Sequence, residues 1–187
     1  MDDAWDQLPA ESVAIEPTEE ARSYWLAVGL GKGLEEQLRN ADILLVPEKG
    51  RHEGVPYFFH QDTSALLQFL QEGLGGHALV ELCATDGEYV EVALHSAVHR
   101  IGTIVVSYAV APLLVGLLTN YIYDSLKAKP ADVVEASLVV EDHECKAFKF
   151  TYKGEAKDFQ ALADKVGQLS RDCQAKATKQ HHRGSTQ

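Results

Sequence analysis

The sequence predicts an α+β fold. N-terminal helices lead into three β-hairpin–helix units on an antiparallel sheet, with one long, very apolar helix at the centre. Three observations predict it. Residues Ile101–Tyr123, IGTIVVSYAVAPLLVGLLTNYIY, contain no Asp, Glu, Lys or Arg. Pairs of short runs rich in β-branched and aromatic residues flank turn-forming residues at three places. A stretch with apolar residues at helical spacing follows each pair.

The chain has 187 residues, which suits one domain with a real core. Its charge is unevenly spread. Residues 1–20 carry seven acids and no Lys or Arg, whereas residues 174–187 carry Lys176, Lys179 and Arg183 and no acid. These patterns divide the chain into an irregular acidic segment (1–17), a single α+β domain (18–173) and a basic disordered tail (174–187).

Taken in order, Trp5 and Leu8 are the only bulky apolar residues before Val13, and either can dock on the body. Thr18 caps a first helix through Tyr24, Trp25 and Val28, with Glu19 and Glu20 at its positive end. Gly29, Gly31 and Gly33 break it, and Leu34–Asn40 forms a second short helix. GLGKG invites a phosphate-loop reading, but a helix precedes it where a strand is required, and no complete glycine motif is present.

The first hairpin is Ile43–Val46 with Val55–Phe59, and its helix starts at Asp62 or Thr63 and stops at Gly73. The second pairs Ala78–Cys83 with Tyr89–Leu94 across Asp86-Gly87. Ser96 then caps the long helix, placed at residues 97–127 and ended by Pro130. The third unit alternates most cleanly. Val134, Ala136, Leu138 and Val140 oppose Phe148, Phe150 and Tyr152 on one face, with acids and lysines on the other. A closing helix from Glu155 sets Phe159, Leu162, Val166, Leu169 and Cys173 in one stripe.

The apolar run governs the functional reading. Its 23 residues as a helix reach roughly 34 Å, and a bilayer core is about 30 Å. Thr103, Ser107, Ala111, Val115 and Thr119 recur every fourth residue, and the first three are small enough to seat a second helix closely. Tyr121 and Tyr123 suit an interface. The first reading is therefore a non-enzymatic membrane-associated or membrane-inserting protein, an accessory subunit or effector, that self-associates through this helix. The second is a soluble homo-oligomeric α+β protein with the helix buried as core or interface, binding a protein or small ligand. Arg100 on one flank and Lys127 and Lys129 on the other set no firm topology.

Net charge is −11, which repels phosphate backbones and excludes general nucleic-acid binding. Three cysteines without a CxxC, and no signal peptide, place the chain in the cytoplasm or on the cytoplasmic face of a membrane, not outside the cell. No cofactor motif is present. His95 and His99 are four apart, a spacing that sets two imidazoles on one helical face for a metal, although a helix start at Ser96 leaves His95 outside it. His143-Glu144-Cys145, His52-Glu53 and His60-Gln61-Asp62 all read as turn residues. Nothing assembles into a nucleophile motif.

Overall fold

In a computed structural model, which describes residues 13–50, 54–93, 96–142, 144 and 146–183, the uncharged run is not one helix. The elements follow in order: β1 (Val13–Thr18), α1 (Arg22–Val28), α2 (Glu35–Asn40), β2 (Ile43–Val46), β3 (Glu48–Lys49), β4 (Tyr57–His60), α3 (Thr63–Leu74), β5 (Val80–Leu82), β6 (Glu91–Val92), β7 (His99–Ser107), α4 (Ala111–Asn120), β8 (Val133–Glu141), β9 (Ala147–Glu155) and α5 (Gln160–Arg183). One π-helical turn, Tyr121–Ser125, continues α4.

The predicted helix at 97–127 is thus a strand followed by a helix, and the reason is local chemistry. Ile101, Thr103, Ile104, Val105 and Val106 are β-branched and fit a pleated surface. Ile104, Val105 and Val106 have no exposed surface, so β7 is buried on both faces and has no polar alternation to betray it. Gly102 sits at φ +84°, outside helical space. Pro112 falls in the first turn of α4, where a missing N–H costs nothing. Two buried elements adjoin in the chain, and their sum imitates a span. No helix among the described residues is long and apolar enough to cross a membrane, which overturns the transmembrane expectation.

Two of the three hairpin–helix units also give way. A six-stranded sheet runs β1-β9-β8-β7-β2-β5, and a three-stranded sheet runs β3-β4-β6. β7 pairs parallel with β8, and β2 parallel with β5, so the large sheet is mixed where an antiparallel one was expected. β2 pairs with β5 and β7, leaving β3 to form the hairpin with β4. β5 and β6 do not pair with each other but join different sheets. The third unit keeps its hairpin, with Leu138 opposite Phe150 and Ala136 opposite Tyr152. Residues 13–18, assigned to the irregular segment or to a helix start, are an edge strand on β9. Helix α5 runs to Arg183, through most of the region expected to be a disordered tail.

Helices α3, α4 and α5 cover one face of the large sheet. Leu66, Leu70, Leu114, Val115, Leu118, Leu162 and Val166 pack there against Ile43, Leu45, Ile104, Val106, Leu138, Val140 and Phe150. Burial of each such side chain favours the fold by about 1.5–3 kcal/mol. The other face is only half covered. Trp25 of α1 and Leu38 of α2 sit on Leu44, Val46, Val105 and Val139. Arg22 fixes this layer. Its guanidinium meets the Glu141 carboxylate at the end of β8 at 3.2 Å and donates to the carbonyls of Arg39 and Ala41 behind α2.

Candidate ligand-binding site

The uncovered half of that second face carries the polar side of three strands. β9 presents Lys149, Thr151 and Lys153, β8 presents Glu135 and Ser137, and β1 adds Glu16. The small sheet forms the wall, with Glu48 and His60. Together they bound an open cleft of about 540 Å³.

A β-bulge shapes the cleft. The β7–β8 register shifts between Arg100 and Gly102. Bulges re-aim side chains, and the left-handed φ of Gly102 is what permits this one. A Cβ at Gly102 would lie 3.4 Å from Cδ2 of His60, so the His60 ring packs directly over the strand here. Beside it lies a smaller, half-open pocket of about 180 Å³, lined by His60, Asp62, Thr63, Ser96, His99, Arg100 and Tyr121 among others. His60 and Arg100 line both spaces.

The charges are held by specific contacts. Glu135 accepts from Arg100 Nε at 3.1 Å and from Lys153 Nζ at 3.2 Å. Arg100 also donates to the Ser96 hydroxyl. Thr103 Oγ1 donates to Glu48 at 2.9 Å, and His60 Nε2 lies 3.8 Å from the same carboxylate oxygen. His60 is the main cause that holds the Glu48 carboxyl below its usual range, followed by Thr103 and the charge of Lys149, against the opposing effect of burial. Glu48 is therefore a fixed anion and a poor proton donor. Burial, with the charges of Asp62 and Glu91, pushes the Tyr121 phenol up to about 12, so it stays a hydrogen-bond donor. The site can bind and orient a polar molecule.

The residues singled out from sequence do not form one face. Thr103 and Ser107 belong to β7, whereas Ala111, Val115 and Thr119 belong to α4. Thr103 is buried against Glu48, and Ala111 and Val115 are core. The Thr119 hydroxyl donates to the carbonyl of Val115 within its own helix. Tyr121 is buried beside Phe69, while Tyr123 is exposed. His95 lies outside the described residues, as do His52, Glu53, His143, Cys145, Trp5 and Leu8. His99 is on a strand and meets Asp132 at 3.3 Å. Among the described residues no three His, Cys, Asp or Glu side chains converge on a metal position. In the GLGKG loop, Glu88 accepts from the Gly31 amide at 2.8 Å, so the chain's own carboxylate occupies that N–H. A Cβ on Gly31 would meet Leu38 Cδ1 at 2.8 Å, which explains the glycine by packing.

From the sequence, His60 reads as a turn residue and Arg100 as a flank of the apolar run, and neither they nor Glu48 are assigned to a site. The usable signal was Gly102, since a glycine inside a β-branched run marks a bulge. No protein-family model, curated protein or solved structure matches the chain.

Proposed function

We propose that this is a soluble protein that binds a small polar ligand in the cleft over the uncovered half of the large sheet. One observation carries the reading. The Gly102 bulge brings Arg100 and His60 to the boundary between a broad polar cleft and a smaller adjoining pocket, and Glu135 and Glu48 hold them in place. Binding sites are concave, largely preformed, and place a few polar groups with care. The uncharged run supports the same reading, because its bulk is consumed in the core.

A panel of sugars, amino acids, nucleotides and organic acids, followed by amide NMR shifts, tests it. A binder should move the resonances of Gly102, Ser137 and Thr151, and Ser137→Trp should abolish the effect without unfolding the protein. Shifts confined to surfaces away from the cleft would discard the proposal, as would a panel in which nothing binds.

A further inference from the structure

The smaller pocket has a charge arrangement that the cleft alone does not explain. Three basic side chains line it: His60, His99 and Arg100. Each meets one carboxylate: Glu48 lies 3.8 Å from His60, Asp132 lies 3.3 Å from His99, and Glu135 lies 3.1 Å from Arg100. None of these three acids lines the pocket. Each base therefore lines the pocket while the acid it is paired with does not. Among the described residues Asp62 is the single acid in the lining, and its backbone conformation is left-handed at φ 69°. The Gln61 side chain and three hydroxyls, on Thr63, Ser96 and Tyr121, add to the polar surface.

The protein carries a net charge of −11, yet Arg100 and two imidazoles share this one concave surface, and the acids paired with them lie outside its lining. A carboxylate behind each base fixes the orientation of its ring or guanidinium. The volume of about 180 Å³ holds a tetrahedral oxyanion with waters, since one water needs only roughly 10–15 Å³ of such space.

We infer that the smaller pocket receives the oxyanion group, a phosphate, sulfate or carboxylate, of the ligand whose remainder lies in the broad cleft. The inference rests on the cleft reading above and adds the ligand's chemical class. Arg100 supplies the planar donor suited to oxyanions, and the two imidazoles close around it. Because His60 and Arg100 line both spaces, one molecule can have its anionic end inside and its polar body over Ser137 and Thr151.

Sulfate is the probe, titrated at fixed pH 6.5 and constant ionic strength against the full chain and followed by amide NMR. Saturable shifts at Thr63, His99 and Arg100 are expected. Arg100→Met should weaken sulfate at least tenfold, and His99→Gln, at a partly exposed position, at least threefold. If Arg100→Met does not fold, His99→Gln decides alone. Non-saturating shifts, or affinity unchanged in these variants, would overturn the inference. A neutral sugar that binds over Ser137 and Thr151 while sulfate does not would sink the oxyanion and leave the cleft reading standing. Failure of both probes and of the wider panel sinks both.

Discussion

Thr103 and Glu48, from different sheets, are joined by a 2.9 Å hydrogen bond at the rim of the cleft. Thr103 is almost fully buried, so its hydroxyl has no ready exchange with water. Thr103→Val keeps the shape and removes the donor, and should cost about 1–2 kcal/mol in urea unfolding at pH 7. Glu48 adds a pH signature. Its native carboxyl is held below the ordinary value of 4.5, so its contribution is present above that pH and is lost as pH falls through the lower native value. Glu48→Gln should therefore be less stable than wild type at pH 7, with the difference shrinking toward pH 3. An unchanged difference across that range would refute the assignment.

Gly102 ties the backbone to the His60 ring. Its φ of +84° strains any L side chain, and strain of this kind costs about 1–3 kcal/mol. Gly102→Ala should lower the melting temperature and shift the His60 ring resonances. Gly102→Val should do more of both, since its methyls extend from a Cβ that already lies 3.4 Å from that ring. An alanine variant as stable as wild type would show that β7 relaxes without the bulge.

How far the fold was legible depended on whether each element kept a polar face. The β8–β9 hairpin and the stripe of α5 alternate between apolar and charged residues, and both were readable. Strand β7 lies at the centre of a mixed sheet with Ile104, Val105 and Val106 buried, and it leads straight into α4. Periodicity cannot separate such a strand from a buried helix. The parallel pairings β2–β5 and β7–β8 join residues far apart in the chain, and no turn chemistry announces them. The site failed to appear for the same reason. His60, Arg100 and Glu48 come from three strands of two sheets, and each alone looks like an ordinary polar residue at a strand end.

Arg22 and Glu141 test the half-covered face. Their side chains are 16% and 18% exposed, and Glu141 also accepts from the Arg22 amide at 2.7 Å. Removing one partner of such a pair strands the other charge. Arg22→Met should cost about 2–3 kcal/mol, near the low end for pairs of this kind because some exposure remains. It also frees the carbonyls of Arg39 and Ala41. The double variant Arg22→Met, Glu141→Leu should recover part of the loss. Denaturant unfolding of the three variants gives the coupling, and strictly additive losses would remove the pair from the account.

Cys83 reports on the same layer from the other side of the pH scale. It is fully buried under α2, and burial, with a smaller effect from Glu88, pushes its thiol from 9.0 up to about 11. Only the thiolate reacts, so a shift of two units leaves about 100-fold less of it at pH 8. In a Cys145→Ser, Cys173→Ser background, Cys83 should react with an aromatic disulfide reagent only as fast as the protein opens. The stability linked to this thiol is complete below pH 9 and is lost as pH rises through 11. Tyr121, raised from 10.0 to about 12, pulls in the same direction one unit higher. Unfolding free energy should therefore decline from pH 9 upward, and Cys83→Ala should remove the earlier part of that decline. Rapid stoichiometric labelling of the native protein at pH 8 would mean that Cys83 is not buried in the layer of Trp25, Leu38 and Leu44.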